Sequence, residues 1–200
     1  MELSLLLVGI NHKTSDIEVR EKLYFTEERA RTFLRDLPAR LPAVRESVLL
    51  STCNRTECYL MTSDPDGTAS GLLRRLGSGL PRLEEALNGA AYRQSSLEAM
   101  EHLFSVASSL DSMLPGETQI TGQVRDAYRW AHEEGTVGYY MHKTFQKALQ
   151  VAKRVRRETR IGENVVSLSH AAVELARKVH SDLSERTLLV IGTGEMGELA

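Results

Sequence analysis

The hydrophobic pattern of this 200-residue chain changes near Ser96. Before that position, apolar residues form short runs such as Leu3 to Ile10 and Val48 to Leu50, which have the length of buried strands. After it, apolar residues recur every three or four positions, as in amphipathic helices. We therefore predict an α/β chain of the α+β kind, in which a small mixed sheet with helices precedes a mainly helical part.

Local signals divide both parts into elements. In the first part we predict a helix that opens at Thr26 and is stopped by Pro38 and Pro42, a strand from Glu57 to Thr62 and a turn at Asp64–Gly67. The helices predicted in the second part, beyond the one that begins near Ser96, run from about Thr118 to Glu133, Tyr139 to Thr159 and Ser167 to Ser181.

His102 lies in the helix that begins near Ser96. It falls outside the apolar stripe of that helix, so its simplest interpretation is a solvent-exposed side chain. The alternative is a histidine at the rim of a pocket, where it orients a substrate or transfers a proton. The stripe consists of Leu97, Met100, Phe104, Ala107 and Leu110.

Charge and cysteine content limit the class of protein. The net charge of −2 gives no general affinity for nucleic acids, so any such contact requires a local patch. The predicted helix at 143–160 offers one, although a solvated charged face is the simpler alternative. Its cations, which face away from its apolar side, are Lys143, Lys147, Lys153, Arg154, Arg156, Arg157 and Arg160.

Two cysteines, Cys53 and Cys58, do not make the framework of a secreted disulfide-rich protein. There is no signal-peptide pattern and no apolar segment long enough to cross a membrane, so we expect a cytoplasmic protein without a membrane partner. No Cys or His spacing completes a zinc site, and no metal is expected. Cys58 alternates with apolar residues in its strand and is expected in the core.

Cys53 lies in the segment Ser51–Arg55, directly after a predicted strand. Its polar neighbours Thr52, Asn54 and Arg55 can supply hydrogen bonds and positive charge, which favour the nucleophilic thiolate. This pattern indicates a cysteine that attacks a carbonyl carbon. An inert cysteine at a strand end is the alternative.

The segment from Ser108 to Gln119, with Gln123 beyond it, is rich in side chains that can hold a polar ligand. Its carboxylate, Glu117, can pair with an ammonium group. Ordinary loop and helix-capping chemistry is the alternative interpretation.

The last residues combine an apolar segment, Thr187–Ile191, with a GxGxxG turn at Gly192–Gly197. A strand that enters such a turn at the start of a helix predicts a Rossmann dinucleotide-binding domain. The glycines allow the backbone to approach a pyrophosphate, which rests on the helix N-terminus. Only the first strand and turn of that domain are expected within 200 residues.

Together these segments resemble glutamyl-tRNA reductases. The resemblance covers essentially the whole chain, and one departure is Thr118, where the family usually has a proline whose loss is expected to loosen the turn. The matching motifs are GINHKTS at 9–15, STCNRTE at 51–57, HLFSVASSLDSMLPGETQITGQ at 102–123, AKRVRRETRIG at 152–162 and GTGEMG at 192–197.

The resemblance implies an NADPH-dependent oxidoreductase that acts on glutamyl-tRNA. Cys53 would attack the ester carbonyl, release the tRNA and form a thioester. Hydride from NADPH would then reduce the thioester to glutamate-1-semialdehyde, which feeds the synthesis of porphyrins and other tetrapyrroles.

The resemblance also implies roles for individual residues, with Cys53 as nucleophile and His102 as a histidine important for activity. The residues that would bind the glutamyl group are Thr52, Asn54, Arg55, Ser112, Glu117, Thr118, Gln119 and Gln123. Those that would bind the cofactor are Gly192, Thr193, Gly194, Glu195, Met196 and Gly197.

The implied organisation has three parts: a catalytic domain at 1–162, the start of a spinal helix at 163–183, and the start of a truncated NADPH-binding Rossmann domain at 184–200. The C-terminal domain that makes the family's homodimer would be absent, and glutamate-1-semialdehyde aminomutase, the next enzyme, is a further expected partner. The chain as given is expected to acylate Cys53 without completing the reduction.

Two other classes remain compatible with the residues. One is a tRNA- or partner-binding module whose cysteine is incidental. The other is a dehydrogenase that acts on a free small molecule through a cysteine thioester. Fast, substrate-protected alkylation of Cys53 would exclude the first, and a requirement for tRNA would exclude the second.

Overall fold

The computed structural model describes residues 2–78, 81–117, 119–159, 161, 168–180, 182–184, 186–187 and 189. Within these residues there are four strands and eight helices. The strands are β1 (Ser4–Asn11), β2 (Val44–Ser51), β3 (Arg55–Thr62) and β4 (Tyr92–Ser95). The helices are α1 (Ile17–Lys22), α2 (Glu27–Arg40), α3 (Pro65–Gly77), α4 (Pro81–Ala90), α5 (Ser96–Ala107), α6 (Gln119–Glu133), α7 (Tyr139–Glu158) and α8 (Leu168–Val179).

The strands form one sheet in the order β2-β3-β1-β4, and each neighbouring pair is antiparallel. The predicted α/β class is confirmed, but among the described strands the sheet is antiparallel and not mixed. Asn11, the last residue of β1, lies opposite Arg55, the first residue of β3. The loop after β1 therefore lies beside the turn that joins β2 to β3.

The central strands are covered on both faces. Every residue of β3 is buried, as are all residues of β1 after Ser4. Because successive side chains of a strand point to opposite faces, both faces of the sheet must be packed against other elements. Tyr59 of β3, for example, contacts Phe145 of α7 edge to face, with ring centroids 5.4 Å apart. This burial accounts for the nearly continuous apolar run of β1.

Two local predictions in the first part need correction. Pro38 does not stop α2, which continues to Arg40 and ends before Pro42, because a proline in the last turn removes only one donor and its φ suits a helix. Asp64–Gly67 is not an isolated turn but the start of α3. The side chain of Asp64 accepts a hydrogen bond from Gly67 N at 3.1 Å, and Pro65 occupies the first helical position, where it needs no donor.

The buried side of α5 also differs from the predicted stripe. Leu97, Met100 and Leu110 are exposed, and the buried residues of the helix are Ala99, Leu103, Val106 and Ala107. The prediction followed the largest apolar side chains, whereas α5 lies against β1 through a face with small residues that permit close approach. His102 follows Ala99 by three positions and shares that side, so the interpretation as a solvent-exposed histidine is wrong.

The helices predicted after residue 117 are confirmed as α6, α7 and α8. Helix α7 begins at a buried carboxylate, since Glu46 of β2 accepts hydrogen bonds from Tyr140 N at 3.2 Å and Met141 N at 2.7 Å. None of the described helices is long and apolar enough to cross a membrane. The turn Gly192–Gly197 and most of Thr187–Ile191 lie outside the described residues, and the three-part division of the chain stays a prediction.

Candidate active site

Cys53 lies in the tight turn between β2 and β3 and is exposed to solvent. Thr52 N donates to the carbonyl of Arg55 at 2.8 Å, which closes the turn. The hydroxyl oxygen of Thr52 accepts from Asn54 N at 3.1 Å and Arg55 N at 3.2 Å. The side chain of Thr52 therefore shapes the turn and holds Cys53 at its tip.

Two residues near the start of the chain hold this turn in place by hydrogen bonds. His12 N donates to the carbonyl of Asn54 at 2.9 Å. The side chain of Arg20 donates to the carbonyl of Cys53 at 3.4 Å and, through its other arm, to the carbonyl of Ser15. The loop after β1 and helix α1 thus hold the carbonyl groups of Cys53 and Asn54, which follow the thiol in the turn.

A buried carboxylate, Glu57, organises the polar groups below the turn. Glu57 is fully buried in β3 and accepts hydrogen bonds from the side chains of Arg55 at 2.7 Å, Tyr59 at 2.7 Å and Tyr92 at 2.6 Å. The fourth partner is Nε2 of His102, 2.9 Å from the carboxylate. Strands β3 and β4, with helix α5, therefore meet at one acidic group.

Gly9 makes room for this carboxylate. It lies directly opposite Glu57 on β1. A Cβ at this position would lie 2.8 Å from Cγ of Glu57 and 2.9 Å from the carbonyl oxygen of Thr56, both closer than side chains normally approach. A glycine is required here for close approach.

Glu57 is ionised at neutral pH. Burial alone would raise its pKa, but the hydrogen bond from His102 and the charge of Arg55 outweigh burial and lower the pKa to about 2. A carboxylate can only accept hydrogen bonds, so Nε2 of His102 must carry a proton. The neutral form of His102 therefore has its lone pair on Nδ1, the ring nitrogen that Glu57 does not hold.

Arg55 links this carboxylate to the loop after α5. Its side chain is 1% exposed, and Nη1 lies 3.3 Å from a carboxylate oxygen of Asp111. Nη2 donates to the carbonyl of Asp111, whose carboxylate also pairs with Lys13. Although burial opposes ionisation of Asp111, Lys13 and Arg55 lower its pKa.

The contacts of Arg55 give it a structural part, and its predicted role toward the thiol and the substrate stays a prediction. Within the described residues its hydrogen bonds go to Glu57 and Asp111. A guanidinium buried this deeply requires counter-charges, which Glu57 and Asp111 provide. Arg55 therefore holds the Cys53 turn, the sheet and the loop after α5 together.

The loop after α5 folds back on itself. Ser109 adopts a left-handed φ of 60° and donates its hydroxyl to the carbonyl of Glu117. Glu117 is half-buried, and burial raises the pKa of its carboxyl group, with Arg55 opposing the shift. Ser112, on the same loop, has a buried hydroxyl that finds no partner among the described residues.

The remaining predicted substrate residues are spread over two regions. Asn54 is half-buried at the tip of the Cys53 turn. Gln119 and Gln123 lie in the first two turns of α6, the former exposed and the latter half-buried. Thr118 lies outside the described residues. Their roles toward the glutamyl group stay predictions.

A cavity of about 730 Å³ opens beside the polar cluster. Its walls include His102, Tyr92, Asp111, Lys13 and Gln94. Of the residues predicted for the site, His102 lines it directly. Among the described residues, no group of three or more His, Cys, Asp or Glu side chains is arranged to hold a metal ion.

Comparison with known proteins identifies the family. A family model described as glutamyl-tRNAGlu reductase, N-terminal domain, matches residues 8–159, which is more than half of the chain. This chain belongs to the glutamyl-tRNA reductase family. The resemblance predicted from the motifs is therefore confirmed.

Individual members of the family agree with this assignment. It is 47% identical over 196 residues to the glutamyl-tRNA reductase of Desulforudis audaxviator (strain MP104C), with 96% of this chain and 43% of the relative covered. The enzyme of the same name from Geobacter sulfurreducens is 46% identical over 200 residues, with 99% and 45% covered. The chain spans less than half the length of both relatives.

A solved structure shows the same fold. The glutamyl-tRNA reductase from Methanopyrus kandleri superimposes with a TM-score of 0.65 at 37% identity, covering 97% of this chain and 44% of that one. The α/β fold described above is therefore a fold of the glutamyl-tRNA reductase family.

Sequence reasoning missed three polar residues of this candidate site, which are Glu57, Lys13 and Tyr92. Glu57 had a signal, because Arg55, Glu57 and Tyr59 alternate along an apolar strand and must share one face. Lys13 and Tyr92 had none, since they reach the site from distant segments of the chain. Asp111 lies in the segment Ser108–Gln119 that was predicted to hold a polar ligand, but its pairing with Lys13 and Arg55 was not predicted.

Proposed function

We propose that this chain carries the acyl-transfer site of an NADPH-dependent glutamyl-tRNA reductase, in which Cys53 accepts the glutamyl group of glutamyl-tRNA. The relatives are named for a reduction of glutamyl-tRNA. The observation that carries the proposal is the exposed Cys53 at the tip of a turn held by Thr52, His12 and Arg20. Such a thiol meets an incoming ester at a fixed position.

The proposed step is a transfer from oxygen to sulfur. Sγ of Cys53 attacks the ester carbonyl and forms the S–C bond, the bond from the carbonyl carbon to the ribose oxygen breaks, and the thiol proton ends on that oxygen. The product is a thioester, whose carbonyl is easier to reduce than that of an oxygen ester. NADPH, when bound, supplies the hydride that gives glutamate-1-semialdehyde. Its proposed site at Gly192–Gly197 lies outside the described residues.

His102 is the proposed proton-handling group. Glu57 holds its Nε2–H, which fixes the ring and leaves Nδ1 as the atom that can accept or return a proton at a ligand in the 730 Å³ cavity. Tyr92 packs against the imidazole with ring centroids 5.6 Å apart. The ring is thus positioned by its neighbours.

The glutamyl group carries one cation and one anion that need partners. We assign its ammonium group to the carboxylates of Asp111 and Glu117, and its side-chain carboxylate to Lys13, whose side chain is 60% exposed at the cavity wall. Ser112, Thr118, Gln119 and Gln123 are proposed as further contacts. Thr52, Asn54 and Arg55 are proposed as contacts on the side of the Cys53 turn, which Thr52 and Arg55 also shape.

The tRNA is proposed to contact the C-terminal end of α7. Arg156 donates to the hydroxyl of Thr121 at 3.2 Å, and that hydroxyl donates to the carbonyl of Ala107 at 2.8 Å. Ala107 ends α5, just before the loop that holds Asp111. The exposed cations Lys153 and Arg157 therefore flank a residue that is linked to the end of α5, from which the loop with Asp111 begins.

Neutralising this end of α7 is expected to weaken tRNA binding. The double substitution Lys153→Gln and Arg157→Gln should lower the dependence of log Kd on log salt by about 1 for each phosphate that the helix no longer neutralises. Filter binding of glutamyl-tRNA across a salt series measures the slope. The matched control is Lys143→Gln with Lys147→Gln, which removes two charges from the other half of α7; an equal effect of both pairs would contradict the assignment.

Other features of the whole protein are proposed from the family alone. They are a cytoplasmic homodimer and transfer of the product to glutamate-1-semialdehyde aminomutase.

Alkylation tests whether Cys53 is the acceptor. Iodoacetamide should modify the exposed Cys53 quickly and spare Cys58, which is buried and whose pKa burial raises to about 12. Glutamyl-tRNA should protect Cys53, and hydroxylamine, which cleaves thioesters, should restore labelling. Peptide mass analysis distinguishes the two cysteines. Unchanged labelling in the presence of glutamyl-tRNA would favour a binding module with an incidental cysteine.

A further inference from the structure

A second cavity, of about 280 Å³, lies on the other side of the loop after β1. The polar part of its wall is the segment His12–Asp16, and the apolar part is formed by Val19 of α1 with Ala86 and Ala90 of α4. Lys13 and Thr14 line this cavity and the 730 Å³ cavity as well. The loop therefore separates two cavities of different character.

The second cavity adjoins the turn that carries the thiol. His12, in its wall, donates its backbone N–H to Asn54 at 2.9 Å. Ser15, also in its wall, is joined through Arg20 to the carbonyl of Cys53. Two wall residues are thus linked by hydrogen bonds to the two residues at the tip of the turn.

The imidazole ring of His12, in the wall of the second cavity, has a nitrogen that is available to a ligand. Its Nδ1 is buried and has no hydrogen-bond partner among the described residues. Burial, with the nearby positive charges of Arg55, Lys13 and Arg20, lowers the pKa of His12, and the opposing effect of Asp111 is smaller. The ring is therefore neutral at pH 7, and one of its nitrogens can accept a hydrogen bond. A buried polar atom left without a partner is costly, which suits a site completed by a ligand.

We propose that the second cavity receives the terminal nucleoside of the aminoacyl-tRNA, with its base against Val19, Ala86 and Ala90 and a ribose hydroxyl donating to Nδ1 of His12. This inference rests on the proposed function. In an aminoacyl ester, the acyl group and the nucleoside are attached to different sides of the attacked carbonyl carbon and diverge from it. Two cavities that share the wall residues Lys13 and Thr14, on a loop that is hydrogen-bonded to the Cys53 turn, match that arrangement.

The charged side chains in the walls of the two cavities indicate which part of the substrate each cavity binds. The 730 Å³ cavity is lined by the carboxyl groups of Glu98, Glu101 and Asp111, which would repel a phosphate backbone but suit an ammonium group. The smaller cavity has a single acidic side chain, Asp16, beside hydroxyls and a mostly apolar far wall. It therefore favours a nucleoside.

The test compares two acyl donors that share the glutamyl group. One is glutamyl-tRNA, and the other is a glutamyl thioester of a small thiol that contains no nucleoside. The rate at which Cys53 gains a glutamyl group is followed by mass. Ala86→Leu fills the cavity, His12→Ala removes the acceptor, and Asn88→Leu adds the same leucine at an exposed position of α4 as a control.

We expect Ala86→Leu, which blocks the cavity, and His12→Ala, which removes one hydrogen bond, each to slow acylation by glutamyl-tRNA by about 10-fold or more. Ala86→Leu should keep its rate with the small thioester within about 2-fold of the unsubstituted protein, which also shows that this variant is folded. His12→Ala should lose more of its rate with glutamyl-tRNA than with the small thioester. Asn88→Leu should leave both rates unchanged.

Three outcomes separate the possibilities. An equal fall with both donors would mean that these residues act on the thiol or on the fold, and would overturn the nucleoside site. Unchanged rates with both donors would overturn it too. If the unsubstituted protein forms no adduct with either donor, the proposed acyl transfer itself fails.

Discussion

Replacing Cys53 by serine is expected to abolish the glutamyl adduct that the unsubstituted chain forms with glutamyl-tRNA. A serine hydroxyl is not ionised near neutral pH, whereas a thiol reaches its nucleophilic form readily. Loss of a nucleophile lowers the rate by about 10⁴-fold or more. Mass measurement of the intact protein after incubation with glutamyl-tRNA detects the adduct directly.

Cys58→Ser provides the matched control. Cys58 is 2% exposed within β3 and lies outside the turn that carries Cys53. Burying a hydroxyl in place of this thiol costs about 1–3 kcal/mol of stability, but the folded protein should still form the adduct. An adduct that forms on Cys53→Ser as fast as on the unsubstituted chain would show that Cys53 is not the acceptor. If the adduct were also lost in folded Cys58→Ser, Cys58 would be the acceptor instead.

Glu57→Gln is expected to reduce both stability and acyl transfer. Four side chains donate to this buried carboxylate, and an amide cannot accept from all of them while neutralising Arg55. Breaking a buried ion pair by removing one partner costs about 3–5 kcal/mol. Because Nε2 of His102 also loses its charged acceptor, acylation should slow even in molecules that remain folded. Urea unfolding and the adduct rate measure the two effects.

Glu46→Gln is the control for the loss of a buried carboxylate that lies outside the candidate site. Glu46 is 8% exposed at the other end of the sheet and accepts two backbone hydrogen bonds at the start of α7. Its replacement should cost about 1–2 kcal/mol, as for other helix caps, without changing the adduct rate of folded protein. If Glu57→Gln acylated as fast per folded molecule as Glu46→Gln, the link from Glu57 to His102 would not contribute to acyl transfer.

The dependence of the free energy of unfolding on pH provides a second test of the contribution of Glu57. Its pKa is lowered to about 2 in the folded state, so the group stabilises the fold above its ordinary pKa of 4.5, and this contribution is lost as the pH falls towards 2. A shift of this size corresponds to about 3 kcal/mol. Urea unfolding between about pH 7 and pH 2.5 should show this loss, and Glu57→Gln should lack it.

Sequence patterns predicted the helical elements better than the faces they bury. Helices α6 and α7 were predicted within one residue of their observed ends, because long periodic segments signal helices clearly. In α5 the periodicity was ambiguous, and the choice of Leu97 and Met100 over Ala99 and Leu103 put His102 on the wrong side. Size alone does not show which face meets the sheet.

The sequence by itself determined the family, the α/β class and the place of Cys53 at the exposed end of a strand. These follow from motifs and from signals within a few residues. Only the tertiary structure decided what surrounds the thiol. Glu57 meets Tyr92 and His102 across 35 and 45 residues of chain, and Arg55 meets Asp111 across 56. Because these polar groups are buried, each needs a hydrogen-bond or charge partner. No local sequence pattern shows which distant segment supplies that partner.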